Sequence, residues 1–316
     1  MNQEMRISEL EAKLPDGEIT INALSHPATG EAIISYAANL ASIVSKKMRA
    51  YERDSGEYFH LDGLCKQLRS FRWSFPLKLC KTRADRFDRT KPALSGPLFT
   101  SDSHPWPSQG GIFREPVAQI CLGEVGGLAG IHLGDGLLQL WVGPEWDDEV
   151  VRIIPIDDLS VQAASPIPDD ITDGYFGGSC ENPSYSVGSV SAWPATDNRG
   201  ESHVWAIEGV KPQVLSWPQR ITNENDNPDL DELYNDASFG VVEDFLQLLP
   251  LEAPSEGHHL FGNFESIQYD VEESPPTLLG LESRDPFLWG DHGNAQVSYQ
   301  VSRSSNARFG FNWSCY

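Results

Sequence analysis

Two stretches of this chain share one plan, and that plan limits the folds open to the rest. Val117 to Val142 reads VAQICLGEVGGLAGIHLGDGLLQLWV, and Leu278 to Val301 reads LLGLESRDPFLWGDHGNAQVSYQV. Each begins with an apolar run ending in Leu, Leu122 in one and Leu281 in the other. A gap follows, then a Gly-Asp pair (Gly134-Asp135, Gly290-Asp291), a second Gly (Gly136, Gly293) and a new strand-like run. In both, a Gln stands three positions after that second Gly, Gln139 and Gln296. Gly supplies positive φ and Asp bonds nearby backbone N–H groups, so these segments suit a turn between two strands. The pattern predicts an α+β fold rich in antiparallel strands. Two pseudo-repeated hairpin cores form its centre, and an N-terminal helical segment precedes them.

A chain of 316 residues buries roughly three quarters of its unfolded surface. Nine Trp and 14 Phe supply enough apolar area to exclude disorder as the dominant state. The 27 Gly and 22 Pro favour turns and short strands over long helices. The net charge of −23 is unevenly spread. Residues 1–142 hold 16 basic and 16 acidic side chains, residues 143–291 hold 5 and 30, and residues 292–316 hold 2 and none. A net −25 over the middle region repels nucleic acid and attracts basic partners.

Five Cys, an odd count without a Cys-x-x-Cys, speak against a disulfide framework or a Cys-rich zinc site. Reduced thiols in a cytoplasmic protein are expected. The opening MNQEMRISELEAKL has no apolar signal core, and no run of 18 apolar residues occurs, so no membrane span is expected.

Local patterns place several elements. Residues 5–14 read as a short helix and 18–21 as a short strand, and His26-Pro27 to Gly30 reads as a break. Ile33, Ala37, Leu40, Val44, Met48 and Tyr51 recur at helical spacing and predict a helix over 31–53. In 66–91, nine Lys or Arg accompany Phe71, Trp73, Phe75, Leu77 and Leu79, which alternate as on a half-buried strand. Val150 to Ile156 reads as a buried strand, and 157–203 as irregular. Val204–Ile207 and Val214–Trp217 read as short strands. Val242, Phe245, Leu246 and Leu249 share one face of a short helix. Residues 1–60 form the N-terminal segment and 61–316 the main domain.

Four motifs in order resemble the YwqG-like family, a bacterial domain of unknown function. They are Trp106-Pro107, the strand Val117–Leu122, the strand Gly136–Trp141, and the turn Leu288-Trp289-Gly290-Asp291-His292-Gly293. The ending Trp313-Ser314-Cys315-Tyr316 is similar to that family's closing Trp-Gln-Cys. The likeness covers about residues 92–316. Two departures stand out: the family's Gly-Gly-x-Pro-x-Leu-Pro loop is reduced to Ser95-Gly96-Pro97-Leu98, and a Gln common in its last strand core is Gly280. The resemblance implies a mixed α/β fold rich in antiparallel strands and no particular reaction. Some relatives look like immunity partners of bacterial toxins.

No constellation of catalytic, cofactor-binding or metal-ligating residues follows from the sequence. Asp291-His292 suits a turn, with Trp289 as a core anchor. His258 and His259 are adjacent, so on a strand they face opposite ways and do not share one ion. His104 reads as a loop residue. No Gly-x-Ser-x-Gly elbow or phosphate-binding Gly-rich loop is present. The stretch Gly123 to Gly130 lacks a following helix pattern and nearby cations.

The acidic run Glu224, Asp226, Asp229, Asp231, Glu232 and Asp236, with Tyr234 and Phe239 as apolar anchors, is the candidate partner-binding surface. Its carboxylates would pair with Lys and Arg of a partner, and the anchors would supply affinity. The expectation is a non-enzymatic immunity protein, an antitoxin that covers the basic active-site surface of a bacterial toxin such as a nuclease. The alternative is a small-molecule-binding module or enzyme with a pocket between the two hairpin cores, using Asp291 and its neighbours.

Overall fold

The computed structural model describes residues 27–143, 149–161, 189–190, 195–196, 202–216, 242, 245, 257–264, 276–289, 293–302 and 305–314. The helix expected over 5–14 and the strand over 18–21 lie outside them. The chain divides into two compact units. One holds residues 1–75, 212–256 and 261–265, and the other holds 76–211, 257–260 and 266–316.

The first unit is built on helix α1, Pro27–Met48. The expected break at His26-Pro27 to Gly30 is instead its start. Proline fits the first helical position because its missing N–H has no intrahelical partner there. Ile33, Ala37, Leu40 and Val44 are buried as their spacing demands, with Met48 and Tyr51 half-buried at the edge. Helix α2, Gly56–Arg69, packs against the same stripe through Leu61, Cys65 and Leu68. Ser55 caps it, accepting from Tyr58 N–H at 3.2 Å. Leu215, Val242 and Phe245 complete this core, with Phe245 between Tyr36 and Phe71. Val242 and Phe245 are helical and share a buried face, as their spacing indicates.

The strands in chain order are β1 Arg72–Arg83, β2 Ala93–Leu94, β3 Ser108–Gln109, β4 Ile112–Phe113, β5 Glu115–Cys121 and β6 Leu137–Val142. Next come β7 Val150–Ile154, β8 Ser189–Val190, β9 Ala195–Thr196, β10 Ser202–Val210 and β11 Val214–Ser216. The last are β12 His259–Phe261, β13 Thr277–Glu282, β14 Phe287–Leu288, β15 Asn294–Ser302 and β16 Ser305–Ser314. Helix α3, Leu122–Ala129, joins β5 to β6, and helix α4, Ile156–Val161, follows β7. In the first unit, Arg72–Ser74 of β1 pair with β11.

The main sheet of the second unit runs β16-β15-β13-β12-β1-β10-β2-β5-β6-β7. Its pairings are antiparallel, so the chain is sheet-rich with a few helices, an α+β arrangement. The order has the same form from either end: four meandering strands, then an inner strand. Two hydrogen bonds attach the inner strands alike. Leu77 N–H donates to His258 O at 2.8 Å, and Ile207 N–H donates to Pro92 O at 3.0 Å. Each acceptor directly precedes a short strand, β12 or β2. Among the described residues the non-glycine positive φ values fall at Ser95 (61°) and Phe261 (59°), where β2 and β12 end.

Four expectations are corrected here. The Gly-rich link after Leu122 is a helix, α3, rather than a simple turn, and it closes on Gly130 at φ 65°. Val150–Ile154 is not a buried strand. It pairs with β6 at the end of the strand order, and only Ile154 is buried. The alternation of β1 does not hold either: Trp73, Phe75 and Leu79 are half-buried while Ser74 is fully buried. A register shift between Lys78 and Leu79 also interrupts its pairing with β10. Finally, 157–203 is not irregular throughout, because α4, β8, β9 and the start of β10 fall within it.

Candidate functional site

All eight residues proposed for partner binding, Glu224, Asp226, Asp229, Asp231, Glu232, Tyr234, Asp236 and Phe239, lie outside the described residues. So do Asp291 and His292. Trp289, read as an anchor of that turn, is completely buried and packs on Phe287 and Phe311. His104 does sit in a loop, but its Nε2 meets Asp158 Oδ2 at 2.7 Å and ties that loop to α4. Among the described residues, no group of three or more His, Cys, Asp or Glu is placed to hold a metal ion. No helix among them is long and apolar enough to cross a membrane.

The densest polar arrangement lies inside the first meander. Gln119 of β5 and Gln139 of β6 are directly opposite and fully buried. Gln139 Nε2 donates to Gln119 Oε1 at 2.6 Å and to Phe99 O at 2.8 Å. Gln139 Oε1 accepts from Trp141 Nε1 at 3.1 Å and from Arg152 Nε at 2.8 Å. Gln119 Oε1 also accepts from Phe99 N–H, and its Nε2 donates to Arg89 O and Lys91 O. Arg152 continues to Pro105 O at 2.7 Å and lies over the Trp141 ring at 5.3 Å. Burial lowers both Arg89 and Arg152 to about 10, which leaves each protonated at neutral pH. Two amides and a guanidinium thus hold the loop 95–107 against the sheet. Both amides spend all four hydrogen-bonding positions on protein partners, which suits a scaffold. In the sequence Gln139 stands out only through its place in the repeated pattern, and Arg152 does not stand out. The available signal was a polar amide within each of two apolar strands.

The second meander carries a different pair on its neighbouring strands. Gly280 of β13 opposes Gln296 of β15, and His259 of β12 opposes Gly280. In the first meander, Gln119 has Gln139 on one side and Ala93 on the other. A Cβ on Gly280 would collide with the His259 ring. Gln296 Oε1 accepts from Thr277 Oγ1 at 2.9 Å, but its fully buried Nε2 finds no hydrogen-bond partner among the described residues.

Two further buried ionisable groups are pH-sensitive. His258 accepts from Glu282 N–H on Nδ1, and its Nε2 bonds Asp285 O at 3.0 Å. These bonds define a neutral imidazole, and burial lowers its pKa to about 4. The unfolded chain therefore takes up the proton first, so this stabilisation is intact above pH 6.5 and is lost as pH falls toward 4. Glu115 behaves oppositely: burial raises it to about 8, and its Oε2 has no hydrogen-bond partner among the described residues. Comparing wild type with His258→Gln cancels the Glu115 contribution. The stability advantage of wild type should shrink by on the order of 3 kcal/mol between neutral pH and about pH 4, read from urea unfolding. A pH-independent difference would show that His258 does not titrate this way.

One cavity of about 500 Å³ opens on the inner strands. Leu77 of β1, Ile207 and Val210 of β10, Ile120 of β5 and Leu260 of β12 form its floor. Phe87, Val125 and Leu128 stand on its walls, and the half-buried Cys121 thiol lines it. Arg86, Asp88, Lys91, Glu124 and Glu208 complete its lining.

The lining thus combines apolar side chains with charged ones. No model of a known protein family matches the chain, and no curated protein matches it.

Proposed function

We propose that this chain is a non-enzymatic bacterial immunity protein that neutralises a toxin by covering the toxin's basic active-site surface. The observation that carries this reading is the charge of residues 143–291, 30 acidic against 5 basic side chains. A field of that sign speeds encounter with a cationic protein and disfavours nucleic acid. The partner-binding residues are Glu224, Asp226, Asp229, Asp231, Glu232 and Asp236, with Tyr234 and Phe239 as anchors. The saturated Gln119–Gln139–Arg152 network supports a scaffolding role for the first meander. The basic strand is partly spent within the chain, since Lys78 pairs with Glu208 at 3.1 Å and Arg83 with Asp85 at 2.9 Å. The resemblance of residues 92–316 to the YwqG-like family belongs to this proposal.

The test is coexpression with the toxic protein encoded beside this chain. Wild type should restore growth and bind that protein in a salt-sensitive way. Reversing Asp229, Asp231 and Glu232 to Lys should weaken binding by roughly tenfold or more and reduce rescue. Unchanged rescue by the triple variant would reject the surface.

The two meanders are also proposed to be pseudo-repeated cores. In chain order each set is an inner strand and four meandering strands: β1, β2, β5, β6, β7, then β10, β12, β13, β15, β16. The inner strands are exchanged, so that β1 bonds the second meander and β10 the first. The mirrored strand order, the paired inner-strand bonds and the shared positive φ at Ser95 and Phe261 support this. On this alignment Gln139 corresponds to Gln296, and Ile120, rather than Leu122, corresponds to Leu281.

A further inference from the structure

We infer that the cavity on the inner strands is a binding site for a small amphipathic organic anion, an apolar body carrying one carboxylate-like headgroup. This is independent of the toxin-binding surface, which involves none of the cavity's residues. At about 500 Å³ the space lies within the range of roughly 300–1,000 Å³ that small ligands occupy. Its floor is strand backbone clothed in Leu77, Ile120, Ile207, Val210 and Leu260, a rigid apolar platform. Ile207 and Val210 are only half-buried although β10 lies at the centre of a sheet, where strands usually find cover. An apolar ligand body would remove that area from water.

The rim selects the headgroup. Asp88 already accepts from Thr90 N–H at 3.0 Å and Thr90 Oγ1 at 2.7 Å. Those bonds, with Lys91 nearby, hold its carboxyl below the usual range. Glu208 is paired with Lys78. Glu124 lies in the first turn of α3, where negative charge complements the helix N-terminus. Each of the three acids thus has a favourable partner, Lys91 among them. Arg86 and Lys91 are exposed cations in the lining; neither forms an ion pair with a described residue, while Lys91 lies near Asp88 and Arg86 near Asp85. An anionic head meeting these two cations, with an apolar tail over Ile207 and Ile120, fits this lining.

Three probes with the same ten-carbon chain separate the possibilities: decanoate, decanol and decyltrimethylammonium, each below its micelle concentration. Cys121 lines the cavity, so occupancy reads out as protection of that thiol from iodoacetamide, mapped by peptide mass spectrometry on the full chain. Decanoate should protect saturably, with at least tenfold higher affinity than either other probe. Arg86→Glu with Lys91→Glu should remove that preference while leaving decanol binding unchanged. Because both are exposed, the fold should survive, and far-UV circular dichroism checks this. Ile207→Trp should block all three by filling the floor. Equal protection by decanol, stronger protection by the ammonium, or no saturable protection would each overturn the assignment. Preference for the ammonium would instead mark a cation site governed by Glu124 and Glu208.

Discussion

Replacing Gln139 by Leu should remove about 3–5 kcal/mol of stability, because a buried donor or acceptor left without a partner costs roughly 1–3 kcal/mol. The change strands Trp141 Nε1, Arg152 Nε, Phe99 O and one bond to Gln119 Oε1 together. The effect should reach beyond the side chain. Arg152 loses one anchor while still holding Pro105 O, so the loop 95–107 should loosen and its amides should exchange faster. Urea unfolding gives the energy, and hydrogen exchange gives the location. A cycle pairing Gln139→Leu with Arg152→Met should show strong coupling, since both residues belong to one network. A loss below about 1 kcal/mol would mean that the network is dispensable.

The second large effect is a test of the proposed duplication. Gly280→Gln alone should destabilise by about 3 kcal/mol or more, because the new side chain enters space filled by the His259 ring. The first meander shows the compensated combination, Ala93 beside Gln119 beside Gln139. His259→Ala together with Gly280→Gln recreates it in the second. The double variant should therefore be more stable than the sum of the single changes by about 1–3 kcal/mol. The new amide would face Gln296, whose Nε2 has no partner among the described residues. Additive losses would argue against equivalent positions. His259→Ala is a needed control, because the native ring also bonds Gly257 O through Nδ1 at 2.8 Å.

These two sites show where sequence reading succeeded and where it stopped. The spacing of Ile33, Ala37, Leu40 and Val44 was sufficient for α1, because a helix stripe is a local property of 3.6-residue periodicity. The strands around Gln119, Gln139 and Gln296 were visible as apolar runs, and Trp289 as an anchor. Helix α3 was not, because its Gly123, Gly126 and Gly127 argue against a helix on propensity. Packing decides there: Gly126 leaves no room for a Cβ against Ile131 O, so a helix can turn tightly onto that backbone. The exposed character of β7 was hidden for a related reason. VVRII is the same string whether a strand has one neighbour or two.

By itself the sequence determined the antiparallel, strand-rich class, the principal helix and the lopsided distribution of charge, since each depends on residue type and short-range order. Only the tertiary structure decided that Gln119 and Gln139 saturate each other, that Gly280 makes room for His259, and that β1 and β10 lie side by side under an open apolar cavity. Each of those facts depends on residues 20 or more positions apart meeting at a particular register, and register is set by the whole sheet.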